Sequence, residues 1–414
     1  MSRLTMTLAL TLCFTAFPAL AQTSTPAPKT EAQIVDDIVR ASGIDPAIVS
    51  RSKRTQPFKD ARDSNMLFWT QAEKNLRFRS MDQLYSGTLI KAGGKIRTLP
   101  QGSKLSIPEK DIAAVMDENH MAGLLVVTDG KIRLERYKRG YSQDQKYTSF
   151  SMAKSFTSTL LGMAIADGYI KSIDDQMTTY LPELKGSAYD GVSIKQALLM
   201  MSGVAWDETY GNPEADVSRM FRDPPPAGED STISYVRRLK RAVPPGTKWH
   251  YSTGESTLLG VLVKRATGKP LAQYLSEKVW KPYGMERDAF WMVDWSFNEM
   301  GGCCISASLR DNARFGMFIM DGAMGKLPKD YLETMTKPLV PIGDKAAYGF
   351  QWWNFLKGRY GAMGNGGQLI IIDPATHTVI ALNSAQSTVG GDNDPARGER
   401  QTAFFERILK LVKK

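Results

Sequence analysis

Two β-hairpin patterns, one in the first half of the chain and one near its end, set the main constraint on the fold. The stretch MAGLLVVTDGKIRLERYKRG places two apolar runs on either side of Asp129-Gly130, a dipeptide that favours a tight turn. The stretch GGQLIIIDPATHTVIALNSA has the same arrangement around Asp373-Pro374. Because a hairpin joins antiparallel neighbours, both stretches predict an antiparallel sheet.

Helical patterns fill the chain between these hairpins and follow the second one. In MAKSFTSTLLGMAIADGY, apolar residues recur at every third or fourth position, which is the period of a helix packed on a core. A later helical pattern breaks at Gly268-Lys269-Pro270. Other helices are predicted in SIKQALLMMSG, ASLRDNARFGMFIMDG and ARGERQTAFFERILKLVKK. Strands near both ends with helices between them indicate an α+β fold.

The N-terminal stretch MSRLTMTLALTLCFTAFPALAQ has the form of a secretory signal peptide. It carries one basic residue, Arg3, then an apolar run and small residues up to Ala21. We therefore expect residues 1–21 to be a cleaved signal peptide and the mature protein to be periplasmic or secreted. Residues 22–67 are interpreted as a linker and N-terminal extension, and residues 68–414 as one folded domain.

The charge balance is basic, with 53 Lys and Arg against 43 Asp and Glu and a formal net charge of +10. Such an excess favours weak contact with an anionic envelope surface, but a solvated basic surface with no partner explains it equally well. The basic residues are scattered without aromatic interleaving, so no nucleic-acid partner is expected. The pattern does not indicate an oligomeric state.

After Ala21 the sequence has two cysteines, Cys303 and Cys304. Two cysteines exclude a disulfide framework, although neighbours in an oxidising compartment can form a vicinal disulfide. Two small buried residues are the simpler interpretation, and this is the expectation for the pair.

A nucleophilic serine needs a base, and histidine is scarce. The three histidines, His120, His250 and His377, lack metal-ligand spacing, and no Gly-x-Ser-x-Gly elbow occurs. No metal or cofactor is therefore expected, and lysine is the alternative base. Ser-x-x-Lys occurs at Ser50, among charged residues that predict a solvated turn, and again at Ser151.

The second motif, Ser151 to Lys154, opens an apolar helix. A spacing of three places both side chains on one helix face. The N–H of a serine at a helix start is free, so it can serve as half of an oxyanion hole. An apolar helix desolvates Lys154, which favours its neutral form. Chance remains an alternative, because the same motif also occurs at Ser50.

Two further stretches give the motif a context. In VPPGTKWHYSTGESTLLG, Tyr251 precedes a predicted helix and is a candidate second proton carrier. In YGAMGNGGQLIII, glycines precede a buried strand and let the backbone approach a ligand. A backbone N–H at that edge is a candidate for the other half of the oxyanion hole.

The order Ser-x-x-Lys, Tyr-x-Thr, Gly-rich strand start resembles the serine β-lactamase and penicillin-binding-protein superfamily. Within it the chain is most similar to class C β-lactamase-related hydrolases, the 6-aminohexanoate-dimer hydrolases and their carboxylesterase relatives. SFSMAKSFTS, LLMMSGVAWDETYGNPEADV, PPGTKWHYST, GGCCISASLRDNARFG, YGFQWW and GNGGQLIIIDP carry the resemblance.

The resemblance implies a β-lactamase/transpeptidase-like fold, in which terminal helices flank an antiparallel sheet and a mainly helical region is inserted. It also implies that Ser151 is the nucleophile, Lys154 its base and Tyr251 the proton shuttle. The N–H groups of Ser151 and Asn365 would form the oxyanion hole. The substrate-binding residues that it implies are Tyr210, Trp353, Thr253 and Gly364.

The chain departs from the family pattern at several positions. Ala362-Met363-Gly364 stands where true β-lactamases have Lys-Thr-Gly, so β-lactamase activity is expected to be weak or absent. Thr253 replaces an asparagine, and so does Met300. The acidic residue that grips the substrate amine in the dimer hydrolase falls near Phe221 here, so activity on that dimer is not expected.

Three functions fit these residues. The first is an exported serine hydrolase that cleaves esters or small amides. The second is a peptidase for D-amino-acid peptides of the cell wall. The third is a penicillin-receptor-like protein that acylates slowly without turnover, and the complete set of Ser151, Lys154 and Tyr251 argues against it.

Overall fold

The computed structural model describes residues 49–50, 66–387 and 395–413. The predicted signal peptide, residues 1–21, lies outside the described residues, as does most of the predicted extension, residues 22–67. Among the helices that are described, none combines the length and the apolar character needed to cross a membrane.

The described strands form two antiparallel sheets. The strands are β1 Val49–Ser50, β2 Gly87–Ile90, β3 Met121–Thr128, β4 Lys131–Tyr137, β5 Tyr147–Thr148, β6 Ala289–Met292, β7 Ile305–Ala307, β8 Val340–Ile342, β9 Ala346–Tyr348, β10 Trp353–Phe355, β11 Arg359–Met363, β12 Leu369–Asp373 and β13 Thr378–Ser384. The large sheet has the order β4-β3-β13-β12-β11-β10-β9-β8, and the small one has the order β1-β2-β6-β7-β5.

Helices lie mainly between β5 and β8. The α-helices are α1 Gln71–Arg77, α2 Met81–Leu84, α3 Glu109–Glu118, α4 Ala153–Ala166, α5 Met177–Tyr180, α6 Ile194–Leu198, α7 Asp216–Arg222, α8 Ser231–Val236, α9 Thr253–Thr267, α10 Leu271–Leu275, α11 Lys281–Tyr283, α12 Leu309–Met320, α13 Lys329–Met335 and α14 Pro395–Val412. Short 3-10 turns span Met66–Phe68, Phe150–Met152, Pro182–Leu184, Gly322–Gly325, Leu356–Gly358 and Pro374–Thr376, and a π-turn spans Ser276–Trp280.

Both predicted hairpins are confirmed. β3 and β4 are joined at Asp129 and Gly130, whose φ angles of 50° and 71° are those of a tight turn that matches strand twist. β12 and β13 pair from Leu369 opposite Leu382 to Asp373 opposite Thr378. β3 also pairs with β13, and this pairing joins the two hairpins, which are distant in the chain, into one sheet.

The predicted layering is also confirmed, with helices on both faces of the large sheet. On one face, Ile112 of α3, Leu124 of β3 and Ile408 of α14 are buried in one apolar cluster. On the other face, α12 packs across β3, β12 and β13. The fold is therefore an α+β fold with terminal helices against an antiparallel sheet.

Helix α4 runs through the centre of the molecule, and its residues 153–164 are all buried. α9 packs along it and ends at Gly268, which has a left-handed φ of 68°. The break predicted at Gly268-Lys269-Pro270 is therefore confirmed. The two packed helices bring their first turns together, and those turns carry the site.

Two expectations are wrong. Cys303 and Cys304 form a vicinal disulfide rather than standing as two separate buried thiols. They lie in a turn in which the Cys303 N–H donates to the Met300 carbonyl and Cys304 has a φ of 72°, so the chain folds back at the pair. Ser50 ends β1 and pairs with Gly87 in the small sheet where a turn was expected, and residues 51–57 of the same stretch, with Lys53, lie outside the described residues.

Candidate active site

Ser151 lies in the single 3-10 turn Phe150–Met152, between β5 and α4. The α-helix begins at Ala153, so the expectation that Ser151 opens the α-helix is wrong by a short turn. The turn is 3-10 because its bond runs three residues back, from the Met152 N–H to the Ser149 carbonyl at 3.2 Å, and Phe150, just before Ser151, has a left-handed φ of 45°. Such strained residues cluster at functional sites.

Hydrogen bonds to the start of β7 and to the residue before it hold this turn in place. The Ser149 N–H donates to the Ile305 carbonyl at 2.7 Å, and the Ile305 N–H donates to Ser149 Oγ at 3.0 Å. The Cys304 N–H donates to the Phe150 carbonyl at 3.2 Å. These bonds fix the backbone immediately before Ser151.

Lys154 extends from the first turn of α4 into a space closed to water, and the residue is 1% exposed. Its Nζ lies 3.0 Å from Ser151 Oγ, 3.0 Å from Thr253 Oγ1 and 2.8 Å from the Gly302 carbonyl oxygen. Burial lowers the pKa of Lys154 to about 8, and the Glu208 carboxylate opposes part of that shift. A lysine with this pKa has a neutral fraction that can accept a proton at mildly alkaline pH.

Two glycines let the Gly302 carbonyl reach this amine. A Cβ on Gly301 would lie 2.6 Å from the Ser256 carbonyl oxygen, and one on Gly302 would lie 2.6 Å from the Thr253 carbonyl oxygen. Larger residues cannot make such approaches, so this loop packs its backbone directly on α9. The Thr157 hydroxyl donates to the Gly301 carbonyl at 2.7 Å and ties the same loop to α4.

The first turn of α9 supplies the second group of site residues. Ser252 caps the helix, because its hydroxyl accepts the Glu255 N–H at 3.1 Å. This start places Thr253 at the first helical position and Tyr251 just outside the helix. Both side chains then lie on the side that meets the first turn of α4.

Tyr251 faces the Ser151–Lys154 pair. Its ring centroid is 4.8 Å from Lys154 Nζ, and its hydroxyl lies in hydrogen-bond reach of Ser151. Burial raises the pKa of Tyr251, and the Glu208 carboxylate raises it further, so the phenol keeps its proton. The ring packs among aromatic neighbours, with centroid distances of 6.1 Å to Trp249, 6.0 Å to Trp353 and 6.4 Å to Tyr348.

A glycine-rich turn after β11 brings Asn365 to the same place. The Gly364 N–H donates to the Gln368 carbonyl at 2.8 Å, and the Gly367 N–H donates to the Gly364 carbonyl at 3.0 Å. No described residue accepts the N–H of Asn365. A Cβ on Gly364 would lie 2.2 Å from the Ser149 carbonyl oxygen, so only glycine lets this turn pack on the turn that carries Ser151.

These groups meet at one cavity of about 280 Å³. Its walls are Ser151, Tyr210, Trp249, Tyr251, Trp353, Met363, Gly364 and Asn365. Of the residues predicted for the site, all but Lys154 and Thr253 line this cavity, and those two are joined to each other behind Ser151. No metal-holding group of His, Cys, Asp and Glu side chains occurs within the described ranges.

The Beta-lactamase family model matches residues 109–403, which is more than half of the chain. The chain belongs to the beta-lactamase family. As a member of this family and a relative of 6-aminohexanoate-dimer hydrolases, it is a serine hydrolase.

Individual relatives agree with this assignment. The 6-aminohexanoate-dimer hydrolase of Paenarthrobacter ureafaciens is 27% identical over 299 residues, which cover 66% of this chain and 75% of that protein. A Bacillus anthracis structure, provisionally assigned as a 6-aminohexanoate-dimer hydrolase, has a TM-score of 0.72 at 22% identity and covers 87% of this chain and 99% of its own. A penicillin-binding protein from Bacillus halodurans has a TM-score of 0.58 at 16% identity and covers 72% of this chain and 99% of its own. The predicted β-lactamase/transpeptidase-like fold is confirmed.

The departures noted in the sequence have clear positions in this beta-lactamase-family hydrolase. Ala362 is fully buried, and the Met363 side chain beside it lines the cavity with 38% exposure. Met300 and Phe221 are both buried in the core. At each of these positions the protein presents an apolar group, so none of them supplies a charge to a substrate.

Sequence reasoning missed four residues of the site, and they differ in how they could have been found. Trp249 lies two residues before Tyr251, and Met363 lies one residue before Gly364. Both fall within stretches that the sequence had already singled out. Glu208 stands two residues before Tyr210, within the stretch DETYGNP that the sequence had already singled out. Gly302 contributes a carbonyl group, for which a sequence carries no signal.

Proposed function

We propose that this serine hydrolase cleaves esters and small amides by way of an acyl-enzyme on Ser151. The observation that carries the proposal is the 3.0 Å contact between Ser151 Oγ and the buried Lys154 Nζ. A nucleophilic hydroxyl needs a base at this range. Burial that lowers the pKa of Lys154 to about 8 makes its amine available as that base.

In the proposed acylation step, Lys154 takes the hydroxyl proton of Ser151 while Ser151 Oγ bonds to the substrate carbonyl carbon. The N–H groups of Ser151 and Asn365 receive the carbonyl oxygen as it gains negative charge. Tyr251 passes its phenolic proton to the departing alcohol or amine, whose bond to the carbonyl carbon breaks, and takes a proton from the Lys154 ammonium in return.

Deacylation runs through the same groups in reverse. A water molecule enters where the leaving group stood and attacks the carbonyl carbon of the acyl-enzyme. Its proton passes to the Lys154 amine, and the Ser151 oxygen recovers a proton as its bond to the acyl group breaks. The products are free Ser151 and a carboxylic acid.

The cavity walls favour substrates with an uncharged acyl group. None of the eight lining residues carries a charged side chain, and Tyr210, Trp249, Trp353 and Met363 supply a largely apolar surface. A cell-wall D-amino-acid peptide ends in a carboxylate, and these walls offer it no cation. The peptidase alternative therefore has less support than an esterase or small-amide hydrolase.

Turnover and its pH dependence test the proposal. With p-nitrophenyl butyrate we expect steady turnover, and kcat/KM is expected to fall about tenfold per pH unit as pH drops below the pKa of Lys154, about 8. The sign follows because the neutral amine is the active form and the ammonium cannot accept a proton. Turnover of a p-nitroanilide with the same acyl group measures the amide preference.

Two results would contradict this proposal. A burst without steady turnover would indicate the non-turnover receptor, and cleavage of D-alanyl-D-alanine peptides alone would indicate the peptidase. A matched blank with Ser151→Ala at every pH separates enzymatic from spontaneous ester hydrolysis.

Export is a further part of the proposal. The signal-peptide pattern of residues 1–21, the net charge of +10 and the Cys303–Cys304 disulfide all suit a periplasmic or secreted enzyme beside an anionic envelope. Full-length protein produced in a Gram-negative host is expected in the osmotic-shock fraction, with Gln22 as its first residue by N-terminal sequencing. Protein that stays in the cytosolic fraction with an intact leader would contradict the proposal.

A further inference from the structure

The Glu208 carboxylate lies behind the Ser151–Lys154 pair and accepts hydrogen bonds from four donors. Its Oε1 accepts from the Tyr210 hydroxyl at 2.8 Å and from the Thr253 hydroxyl. Its Oε2 accepts from the Thr253 N–H at 2.9 Å and from Trp206 Nε1. An ionised carboxylate has no proton to give, so each of these contacts has a fixed direction.

The direction of these bonds decides what the Thr253 hydroxyl can do. A hydroxyl has one proton, and this one is donated to Glu208. The oxygen of Thr253 can therefore only accept from Lys154, whose Nζ lies 3.0 Å away. The Gly302 carbonyl, 2.8 Å from the same Nζ, is also an acceptor only.

The number of N–H bonds on the Lys154 amine then decides the direction in which its lone pair points. A neutral amine has two N–H bonds and one lone pair. If both N–H bonds are given to Thr253 and Gly302, the lone pair is left for the third neighbour, the Ser151 hydroxyl at 3.0 Å. We propose that Glu208 is a positioning residue that holds the Thr253 hydroxyl as an acceptor and so aims the lone pair of Lys154 at Ser151.

This inference rests on the proposed function, in which Lys154 is the base. Glu208 has a second effect there, because its charge raises the pKa of Lys154 against the lowering by burial. Tyr251, Tyr210 and Tyr348 also face this cluster, and burial raises the pKa of each, so all three stay neutral. Of the groups around Lys154, Glu208 is therefore the one whose removal changes the charge there.

Glu208→Gln tests the proposal because its geometry is forced. The Trp206 and Thr253 N–H groups cannot rotate away, so the carboxamide oxygen must face them. The NH2 group then faces the Thr253 hydroxyl and donates to it. The Thr253 proton is turned toward Lys154, where it occupies the lone pair that should receive the Ser151 proton.

Two signatures are expected in the pH profile for p-nitrophenyl butyrate. The plateau value of kcat/KM falls by about 30- to 100-fold, because the base is misdirected. The acidic limb moves to lower pH by about half a unit to one unit, because an ammonium without Glu208 loses its proton more readily. If Glu208 only supported the fold, its replacement would lower the plateau value of kcat/KM without moving the acidic limb to lower pH.

Variants of Thr253 separate positioning from charge. Thr253→Ser keeps the hydroxyl and is expected to stay within about threefold of the wild-type plateau. Thr253→Val removes it and is expected to lower the plateau like Glu208→Gln while leaving the acidic limb near its wild-type position. Because Glu208 acts through Thr253, adding Glu208→Gln to Thr253→Val should lower the plateau little further.

Glu255→Gln is the matched control. Glu255 is a buried carboxyl group in the first turn of α9 that bonds to the Ser202 hydroxyl and makes no described contact with Lys154, and burial raises its pKa to about 8, so Glu255→Gln controls for the packing effect of a buried carboxyl-to-amide change. In Glu255→Gln, the plateau value of kcat/KM and the pH of the acidic limb are both expected to stay at their wild-type values. A change like that of Glu208→Gln would show that any buried carboxyl group nearby has the effect, and the proposal would be overturned.

The proposed function and this inference fail in different ways. Wild-type protein without Ser151-dependent turnover would overturn the proposed function. Wild-type turnover with an unshifted, undiminished profile in Glu208→Gln would overturn the inference alone, and so would full additivity in the double variant. If Glu208→Gln does not fold, as judged by thermal unfolding, the comparison of Thr253→Ser with Thr253→Val decides, because equal activity of those two excludes a role for the hydroxyl.

Discussion

Ser151→Ala is expected to lower kcat for p-nitrophenyl butyrate by about 10⁴- to 10⁶-fold, which leaves only the residual catalysis of binding and charge stabilisation. Three hydroxyl groups line the cavity, those of Ser151, Tyr210 and Tyr251. Burial raises the pKa of both tyrosines, so their phenols are poor nucleophiles near neutral pH. Ser151 is left as the hydroxyl with a neighbouring amine that can accept its proton.

Ser155→Ala is the matched control for this prediction. Ser155 lies one turn further along α4, is 1% exposed, and donates its hydroxyl to the Gln351 carbonyl at 2.7 Å. Its proton is committed to that carbonyl, and it does not line the cavity. Activity within about threefold of wild type is expected, with a loss of about 1 kcal/mol in the free energy of unfolding for the lost hydrogen bond.

A fluorophosphonate probe identifies the reactive serine independently of any substrate. Peptide mass mapping is expected to place the adduct on Ser151 in wild type and in Ser155→Ala, and to find none in Ser151→Ala. An adduct on Ser155 or Ser158 would contradict the assignment, and so would equal turnover by Ser151→Ala and wild type.

The parts of the site that follow from local chemistry could be predicted from the sequence. Ser151 and Lys154 are three residues apart, so one helical turn brings them together even though the α-helix begins slightly later than expected. The hairpin at Asp129-Gly130 follows from two residues that tolerate positive φ. The local pattern offered Tyr251 as a candidate, but placing Tyr251 and Asn365 beside Ser151 required the family resemblance, because no local rule brings residues so distant in the chain to one cavity.

The parts that could not be predicted depend on backbone atoms and long-range packing. The Gly302 carbonyl reaches Lys154 because the loop packs its backbone on α9. The strands of the small sheet are short, and β2 and β5 find their partners β6 and β7 far away in the chain. The role inferred for Glu208 depends on which proton each hydroxyl donates, and a residue type alone does not specify that.

Lys154→Met is the second change with a large expected effect, a fall in kcat/KM for p-nitrophenyl butyrate of about 10³- to 10⁴-fold. Methionine fills a similar volume without an amine, so Ser151 loses its base while the surroundings stay packed. Lys154→Arg is the control for charge, because a guanidinium remains protonated and cannot act as the base. Both variants are expected to be inactive, and substantial activity in Lys154→Arg would show that Lys154 supplies only its positive charge.

Lys154→Met should also change how the free energy of unfolding depends on pH. Lysine has an ordinary pKa of 10.5, and burial lowers the pKa of Lys154 to about 8 in the folded protein. Between these values the unfolded chain binds a proton that the folded protein does not, so the free energy of unfolding rises with pH. Below pH 8 both states are protonated, and the folded state carries the full unfavourable effect of burying the ammonium.

Wild type is therefore expected to gain stability relative to Lys154→Met as pH rises from about 8 to 10.5, by an amount on the order of 3 kcal/mol. Methionine leaves the Gly302 carbonyl without the Lys154 donor at every pH, so that loss shifts the comparison by a constant and does not change its slope. Urea unfolding of both proteins at pH 7 and pH 10 measures the difference. A stability difference that is the same at both pH values would mean that Lys154 is not held in a form that prefers to be neutral. The proposed base would then lack the property that makes it one.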